Sequence, residues 1–418
     1  MKITDVEFIK IHVPLAERYR DKAVELKGIE HRVIARVKTD NGLVGYGDAL
    51  VKPYWVPPDD SVVDRLIDRS PFDFINNRLT PELGGALYDV MGKHLEEPAH
   101  KLMGQKLRGA VAVAAWCPPF AAEDFAAELR RAVEQGYMVF KMHTSPMYDP
   151  IEQTKAAEAV APDGFQIHYD FNGSGRSMVS SLSVIKELDR NHPIVGFIED
   201  PLPAWAIQEW QTLRQQSGIP IVMHVYRVGS ANEIAYGMAD AYVIGDGALD
   251  YSIGDMLSRG NAYGRANVQT IMQVTGGTLS KALALHIASV LPTGTGHSIN
   301  LDDQYEEDVT TERIPIDAGA SPVPDGPGLG FEVDEDAIAR FAASDPVEVP
   351  RYIGVLHLPG DYKVYAADQR PGPGQVAGRE EGMVRGIRSE IWQDDGSPEW
   401  EKAYDRAKND GPFTEKVR

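Results

Sequence analysis

The amino-acid sequence predicts an α/β protein whose core is a closed barrel of parallel strands. The first observation is that eight short apolar segments alternate with amphipathic, helix-forming segments between residues 111 and 299. Repeated strand-helix units of this kind close into a barrel when there are eight of them. The second observation is that acidic or imidazole side chains end three successive apolar segments. A doubly wound open sheet is the alternative architecture.

The predicted barrel strands are short and lie between segments with helical periodicity. They are residues 111–115, 138–142, 166–170, 195–199, 221–224, 241–244, 267–272 and 296–299. In the first intervening helix Phe125, Leu129 and Val133 lie one turn apart, and Gly136 is placed to end that helix. Because no glycine-rich phosphate loop follows any predicted strand, the sequence disfavours a nucleotide-binding open sheet.

The segment before the barrel has a different pattern. Alternating apolar residues around Val6 and Phe8 and again over 31–38 predict antiparallel strands. Asn41-Gly42 between two apolar runs predicts a tight hairpin turn. Residues 66–102 are predicted to be largely helical, with apolar side chains at helical spacing.

Beyond the barrel, a Pro- and Gly-rich stretch at 318–330 marks a boundary. Residues 353–365 are expected to return one or two strands to the N-terminal domain. Ser397 and the proline after it predict a helix start, and Trp400 and Tyr404 give that helix an apolar side. We expect this helix to pack on the protein or on a sister subunit, because exposing both rings would be costly.

Composition restricts the function classes. The formal net charge is −20, which disfavours nucleic acid and anionic membranes as partners. The single cysteine, Cys117, cannot form an intramolecular disulfide, and this fits a cytoplasmic location. The N-terminus has no signal-peptide pattern and no apolar run approaches 18 residues, so we expect a cytoplasmic protein without a membrane partner.

The strongest functional signal is the series Asp170, Glu199 and His224, which end successive predicted strands 29 and 25 residues apart. Parallel strands bring these ends together, and like charges at one point call for a cation. The carboxylates suit Mg²⁺, whereas an imidazole ligand favours Mn²⁺ or another borderline metal. His224 either binds the metal or acts as an acid-base group.

Lys141 lies one strand earlier and is predicted to point into the barrel mouth. A lysine in such a place is rarely structural, because burying an unpaired ammonium is costly. We therefore expect it to act as a catalytic base, with a pKa lowered by the nearby metal and dry walls. His143 points the same way by strand alternation, as a second acid-base group or as a polar plug.

Other polar residues are expected to line the barrel mouth and bind substrate. They are Asn172, Asp246, Gln273, His297 and Asn300. Asn172 follows Asp170 by two residues, and each of the others ends or flanks one of the last three predicted strands. Each signal is weak alone, because polar residues are common at a barrel mouth.

Several motifs together resemble one known family. They are residues 42–47 (Gly-Leu-Val-Gly-Tyr-Gly), 86–104, 136–141, 170–172, 198–201, 219–221 and 323–330. With them the sequence resembles the enolase superfamily, in its mandelate racemase and muconate lactonizing enzyme branch. The resemblance covers most of the chain, from the N-terminus to about residue 365.

The resemblance implies a modified (β/α)8 TIM barrel with an α+β N-terminal cap domain. The chain would divide into a capping domain (1–108), a catalytic barrel (109–320), a return to the cap (321–365) and a C-terminal extension (366–418). One divalent metal is implied, usually Mg²⁺, together with removal of the proton α to a substrate carboxylate. The expected partners are a small carboxylate substrate and further copies of the chain in a homo-oligomer.

Three positions depart from the family's usual pattern. Lys141-Met-His143 stands where Lys-x-Lys is common, and His224 stands where the third ligand is usually acidic. Gln273 lies at or near the place of the histidine that serves racemases as a second base. With bases on one face only, syn loss of water or a one-base isomerisation is easier than two-base racemisation. Of these we expect the first, in a lyase that dehydrates a sugar acid or a related hydroxy acid.

Three alternatives remain open at the level of sequence. A racemase, epimerase or cycloisomerase of the same superfamily would exchange a substrate proton without losing water. A barrel that binds or regulates without turnover would explain the replaced ligand and the missing histidine. Another metal-dependent barrel enzyme, such as an aldolase, would cleave a carbon-carbon bond.

Overall fold

The computed structural model describes residues 1–51, 56–173, 177–224, 228–245, 251–372 and 385–417. In these residues the N-terminal region contains an antiparallel sheet of three strands, order β1-β2-β3, with helix α2 packed against it. Its elements are β1 (Ile3–His12), β2 (His31–Thr39), β3 (Val44–Leu50), α1 (Asp60–Asp64), α2 (Pro81–Leu95) and α3 (His100–Met103). The predicted turn joins β2 to β3, and Gly42 in it has φ 85°.

Two glycines of β3 let α2 lie directly on this sheet. A Cβ atom at Gly45 would overlap the carbonyl oxygen of Ala86, and one at Gly47 would overlap that of Glu82. A larger residue at either position would push the helix away from the sheet, since both obstacles are backbone atoms. Both glycines belong to the segment that resembles the family's N-terminal hairpin.

Behind this cap, eight parallel strands in the described part of the chain close into a barrel. Their order follows the sequence, and the last strand also pairs with the first. The strands are β4 (Ala110–Cys117), β5 (Val139–His143), β6 (Gln166–Asp170), β7 (Val195–Glu199), β8 (Ile221–Met223), β9 (Ala241–Gly245), β10 (Gln269–Gln273) and β11 (Ser298–Ile299). The predicted barrel with an α+β cap is therefore confirmed, and the open sheet is excluded.

Helices connect these strands on the outside of the barrel. They are α4 (Ala122–Glu134), α5 (Pro150–Glu158), α6 (Met178–Asn191), α7 (Ile207–Gln216), α8 (Ser230–Tyr236), α9 (Ile253–Arg265) and α10 (Thr278–Val290). The face of α4 that carries Phe125 and Leu129 is buried, as its periodicity predicts, and Gly136 follows the helix with φ 90°. A short strand, β12 (Ala320–Pro322), lies antiparallel to β4.

The cap rests on α10, in which every residue is buried. This helix contacts α2, α3 and β3 as well as barrel strands, so it has no solvent-facing side, and polar residues such as Lys281 and His286 are buried together with the apolar ones. At its start, Arg32 Nη2 lies 2.7 Å from Asp48 Oδ2 and 2.8 Å from Asp308 Oδ1. Asp308 also accepts from the Thr278 backbone N–H at 2.7 Å, which satisfies one of the free donors of the first turn.

One buried histidine of α10 makes the cap-barrel contact sensitive to acid. Burial, and then the nearby His100, lower the pKa of His286 to about 3, so its imidazole is neutral in the folded protein. The unfolded chain binds this proton near pH 6.5, and the group's contribution to stability is therefore lost as pH falls from 6.5 toward 3. Once the pH is about one unit or more below 6.5, each further pH unit in that window should cost about 1.4 kcal/mol from this residue alone.

We expect His286→Leu to reduce the dependence of stability on pH. Urea unfolding at pH 6.5 and 5.5 should show that the variant loses about 1 kcal/mol less stability over that interval than the parent protein. The absolute stability of the variant is irrelevant to this comparison, because only the change with pH is read. Parallel pH dependences of the two proteins would contradict a neutral buried His286.

The last described elements form a separate unit, which we call the C-terminal module (residues 352–372 and 385–417). After α11 (Glu335–Ala342), which packs on β1, come β13 (Tyr352–Leu358), β14 (Tyr362–Ala367), β15 (Arg388–Gln393), α12 (Pro398–Asp410) and β16 (Phe413–Lys416). The strands of this module pair as an antiparallel sheet of order β15-β13-β14-β16 in the described residues. Trp400 and Tyr404 of α12 are buried against Ile353 and Val355, so the predicted helix packs on the protein as expected.

The expected return of residues 353–365 to the N-terminal domain is wrong. Both strands of that segment pair with later strands of the C-terminal module, β13 with β15 and β14 with β16. The partner strand β15 is short and largely polar, and the sequence analysis did not recognise it as a strand. None of the described helices is long and apolar enough to cross a membrane.

Candidate active site

Lys141 lies at the centre of a polar cluster at the carboxyl ends of the barrel strands. Strands β5, β6 and β7 are paired in parallel, which places Lys141 and His143 beside the ends that carry Asp170 and Glu199. The Lys141 side chain is fully buried. Its Nζ lies 3.0 Å from Asp170 Oδ2 and donates to Glu199 Oε1 at 2.8 Å and to Gln273 Oε1 at 2.9 Å. Acceptors from three strands therefore fix the amine, as an interior lysine requires.

These contacts set the protonation of the cluster. Burial lowers the pKa of Lys141, but Asp170 and Glu199 outweigh burial and raise it above the ordinary value. The expected lowering of the pKa of Lys141 concerns a site that holds a metal, so it stays a prediction. Burial favours the neutral form of Glu199, yet Lys141 and then His168 hold the pKa of that carboxyl well below its usual range. Lysine and glutamate are therefore both charged and paired.

His143 is the second residue of β5 that reaches the site. Its Nε2 lies 3.2 Å from Asp170 Oδ2, and its ring meets the Trp116 ring edge-on at 5.3 Å. The side chain is 26% exposed, whereas Lys141 is fully enclosed. A partly open imidazole beside a carboxylate can exchange protons with a bound molecule.

His224 follows β8 and points at Glu199. Its Nδ1 lies 3.2 Å from Glu199 Oε1, and its backbone N–H donates to Asp200 Oδ1 at 2.9 Å. Its Nε2 is buried and has no hydrogen-bond partner among the described residues. An unpartnered imidazole nitrogen beside two carboxylates is an arrangement that a cation would satisfy.

Among the described residues, Glu199, Asp200 and His224 form a group whose ligand atoms all lie within 4.8 Å of one another. The sequence prediction named Asp170 as the third member and not Asp200. In the structure the oxygens of Asp170 are already engaged, one by the Asn172 N–H at 2.9 Å and the other by Lys141 and His143. Two carboxylates and one imidazole suit a divalent metal, so the residues present fit the implied cofactor.

Asp200 was missed because successive residues of a strand point to opposite faces, and Glu199 already points inward. The backbone of Asp200 is left-handed, with φ 44°, which ends the strand and turns its side chain back toward the site. Burial, then Glu199 and Asp170, raise the pKa of Asp200 to about 7. Three crowded carboxyl groups at one point are a further reason to expect a cation there.

Of the predicted substrate-binding residues, Gln273 and Asn172 lie at the site. Gln273 accepts from Lys141, and Asn172 follows β6 with a left-handed backbone and an exposed side chain. Asp246 lies outside the described residues. The amide of Asn300 is used within the barrel, donating to the Val274 carbonyl at 2.9 Å and accepting from a serine on β11.

His297 lies below the site rather than at its mouth. It is buried, and its Nε2 is 2.7 Å from His168 Nδ1. His168 in turn places its Nε2 2.7 Å from Glu199 Oε2. The sequence analysis passed over His168, although it precedes Asp170 by two residues and so shares its face of β6. The two imidazoles support Glu199 from beneath.

A cavity of about 250 Å³ opens beside the metal-ligand group. It is lined by Asn172, Gly173, Asp200, Leu202, Pro203, Ala204 and Trp205. One end of the cavity is thus polar, at Asp200 and Asn172, and its rim is apolar. The Trp205 indole is 72% exposed on this rim, which is unusual for so large an apolar ring.

Comparison with known proteins agrees with this architecture. The family model described as Enolase C-terminal domain-like matches residues 124–337, just over half of the chain. The chain belongs to this family. The match confirms the resemblance that the motifs suggested, and it places all the catalytic and metal-binding candidates of this enolase-like barrel inside the matched region.

The relatives of this enolase-like chain are enzymes. Arabinonate dehydratase from Saccharolobus solfataricus is 24% identical over 374 residues, covering 81% of this chain and 99% of that protein. N-succinyl Arg/Lys racemase from Bacillus cereus has a crystal structure that matches 83% of this chain and 100% of its own, with TM-score 0.67 and 18% identity. An enolase from Thermobispora bispora, complexed with magnesium and formate, matches 82% of this chain and 92% of its own, with TM-score 0.68 and 19% identity.

Proposed function

We propose that this protein is a metal-dependent enzyme that removes the proton α to the carboxylate of a small hydroxy acid, and that its reaction is dehydration of a sugar acid. One observation carries the proposal: the buried Lys141 amine contacts Asp170 at 3.0 Å and Glu199 at 2.8 Å, at the ends of neighbouring barrel strands. This reaction needs a proton acceptor, which is the Lys141 amine, and it needs groups that attract a cation, which are the Asp170 and Glu199 carboxylates. Similarity to arabinonate dehydratase over 81% of the chain supports the choice of dehydration.

Glu199, Asp200 and His224 are the residues that we propose hold the metal, Mg²⁺ or Mn²⁺, with Asp170 beside them. When bound, a divalent cation supplies positive charge to the substrate carboxylate and to the charge that develops as the α-proton leaves. His168 keeps one oxygen of Glu199 engaged at 2.7 Å, so that the other oxygen keeps its direction. The magnesium in the Thermobispora enolase supports this assignment.

Lys141 takes the α-proton in this proposal. Its Nζ is held from three strands, and its position is therefore fixed before substrate binds. An amine must be neutral to accept a proton. Since the Asp170 and Glu199 carboxylates are what raise the pKa of Lys141 against the effect of burial, weakening either contact would release the neutral form.

His143 donates a proton to the leaving hydroxyl group. The carbon–oxygen bond at the β position breaks, its electron pair leaves with oxygen, and the imidazole proton completes a water molecule. The electron pair of the former α carbon–hydrogen bond becomes the new double bond, so the product is an enol that rearranges to a 2-keto acid. Lys141 and His143 lie on one strand and on the same face, which suits removal of proton and hydroxyl from one side.

Gln273 argues against a two-base racemase. It lies on β10, across the barrel from β6, and its amide accepts from Lys141. An amide cannot take a proton from carbon at neutral pH, so the far side of the site lacks a base at this position. The racemase from Bacillus cereus shares the fold, and isomerisation is therefore the second candidate.

A screen of sugar acids tests the proposal. The protein is loaded with Mg²⁺ or Mn²⁺ and incubated with aldonic acids in deuterated water, and products are followed by proton NMR. We expect 2-keto-3-deoxy acids to form and a chelator to stop the reaction. Deuterium at the α carbon without loss of water would replace dehydration by isomerisation as the proposed reaction. If no acid either lost water or incorporated deuterium, both proposed reactions would be contradicted.

The exposed Trp205 ring on the cavity rim should act as a platform for the substrate chain. Replacing it with alanine should raise KM by about tenfold, the value of one ring contact, and leave kcat nearly unchanged. Trp205→Phe, which keeps an aromatic face, should retain most of the affinity. Indole fluorescence gives a direct check, since substrate should quench the parent protein and not the Phe variant, and equal KM values for the parent and Ala variant would contradict the role.

A further inference from the structure

The loop at residues 144–149 follows the proposed catalytic strand without a break. Lys141 and His143 belong to β5, and this loop leads from that strand to α5. Its inner end is tied to the metal-binding side of the barrel, because the Thr144 N–H donates to the Asp170 carbonyl at 2.8 Å. A shift of this loop would therefore move the end of the strand that carries His143.

The outer end of the loop is held by the C-terminal module. The buried Asp149 carboxylate accepts from Arg385 Nε at 2.7 Å and from the Gly386 N–H at 2.8 Å. The Asp149 N–H donates to the Ile387 carbonyl at 3.1 Å. Asp149 also caps α5 by accepting from the Ile151 N–H at 3.0 Å. One residue thus joins the barrel helix, the loop and the module.

Two further contacts extend this attachment. Arg370 Nη2 donates to the Tyr148 hydroxyl at 2.6 Å, and the guanidinium lies 5.4 Å from the centre of the same ring. Met147 packs into a small apolar cluster of the module formed by Leu356, Val364 and Ile387. Three consecutive loop residues, 147 to 149, are therefore held by charge, hydrogen bonds and apolar packing at once.

The C-terminal module lies outside the part of the chain that defines the family. The Enolase C-terminal domain-like match ends at residue 337, and the module starts at 352. Its sheet has its own apolar core against α12, so stability of that core does not explain the contacts with the barrel loop. The buried charged residue that receives these contacts, Asp149, belongs to the barrel, next to the proposed catalytic strand.

We propose that the C-terminal module is a positioning element of the active site: through Arg385 and Arg370 it fixes loop 144–149 and thereby the His143 imidazole. The proposal rests on the proposed function for the role of His143. Lys141 is fixed independently by Asp170, Glu199 and Gln273, so loosening the loop should impair proton donation to the leaving group more than α-proton removal.

The test uses the full chain with Arg370→Gln and Arg385→Gln combined, and separately Asp149→Asn. Asparagine keeps an acceptor for the cap of α5 and removes only the charge. Arg351→Gln is the matched control, because Arg351 directly precedes the module and its ion pairs join Asp394 and Glu401 of the module instead of the barrel loop. Arg385→Lys combined with Arg370→Gln tests rescue, since lysine restores the charge without the Nε–H that contacts both oxygens of Asp149.

The first readouts need no catalytic activity. Hydrogen exchange of the loop amides at 144, 145 and 147–149 and the rate at which diethylpyrocarbonate labels His143 should each rise at least about fivefold in the double variant and in Asp149→Asn. Mn²⁺ affinity should stay at the parental value in all of these variants. In Arg351→Gln, hydrogen exchange and labelling should also stay at parental values. Unchanged exchange and labelling in the double variant would overturn the proposal even if no sugar acid were ever found to react.

With a substrate in hand, the double variant should show kcat for water loss lowered about 30-fold at unchanged KM, while α-deuterium exchange falls by less than threefold. Arg385→Lys should recover part of the kcat. Equal losses of exchange and dehydration, or a loop that loosens without any change in kcat, would overturn the positioning role. A parent protein that exchanges without losing water would instead contradict the proposed dehydration and leave the loop measurements valid.

Discussion

Replacing Lys141 with methionine should lower α-proton exchange at least about 10³-fold, the usual contribution of a positioned general base. Methionine keeps the aliphatic stem, so packing inside the barrel changes little. The amine is the group that is lost, and it lies 2.8 Å from Glu199 and 3.0 Å from Asp170. Exchange is followed by NMR as deuterium incorporated from solvent, in protein loaded with Mn²⁺.

The same substitution should also show how far the charge of Lys141 stabilises the buried carboxylates of the cluster. Removing one partner of a buried ion pair leaves an uncompensated charge, which costs about 3–5 kcal/mol. The metal-free variant should therefore unfold at lower temperature than the parent, and Mn²⁺ should restore much of that loss, because the cation takes over the compensation of the carboxylates.

Lys281→Met is the matched control for this experiment. Lys281 is also a buried lysine, paired with Asp302 at 3.0 Å, but it belongs to α10 and lies outside the proposed site. The Lys281→Met substitution should lower stability without a comparable loss of α-proton exchange, and Mn²⁺ should not restore the lost stability. Exchange at the parental rate in Lys141→Met would rule out Lys141 as the base.

How far the sequence predicts the site follows from strand geometry. The sequence predicts that Lys141, Glu199 and His224 lie at the site because short apolar segments identify the strands. A side chain at the end of a strand then points either into the barrel or away from it. Asp170 was also found at its strand end, but its partners in the folded barrel depend on side-chain contacts that spacing cannot reveal. Gln273 joins Lys141 across the barrel, a contact that only closure of the barrel creates.

The errors have physical causes as well. Asp200 was missed because its direction depends on one left-handed backbone position, and strand alternation points it the other way. His297 was placed at the mouth because it flanks the last predicted strand, whereas β11 begins at Ser298 and leaves His297 beneath the site. In the C-terminal module, β13 has the same apolar alternation whichever sheet it joins, so pairing was decided by β15, a short and largely polar strand.

The second large effect should come from the metal-ligand group. We expect Glu199→Gln to weaken Mn²⁺ binding more than about 100-fold, since it removes the central carboxylate of the group formed with Asp200 and His224. Asp200→Asn and His224→Ala should each weaken it by about 10–100-fold. Titration calorimetry or electron paramagnetic resonance of Mn²⁺ measures these affinities.

Glu233→Gln controls for the loss of a buried carboxylate. Glu233 is fully buried in α8, where it accepts from the Tyr263 hydroxyl at 2.6 Å, and it should leave Mn²⁺ affinity unchanged. Comparing Asp170→Asn with Asp200→Asn then decides which acid completes the site. A larger loss at Asp170 would favour the set expected from sequence, and a larger loss at Asp200 would favour the set that the structure brings together.

Anomalous scattering from a Mn²⁺-soaked crystal would test direct ligation by His224. The free Nε2 and the 3.2 Å contact of Nδ1 with Glu199 leave either nitrogen able to turn toward a cation held by that carboxylate. We expect the metal about 2 Å from one ring nitrogen, the normal metal–imidazole bond length. A metal more than about 3 Å from both nitrogens would exclude direct ligation. His224 would then face Lys141 across the site as an acid-base group, which is the alternative role that the sequence leaves open for it.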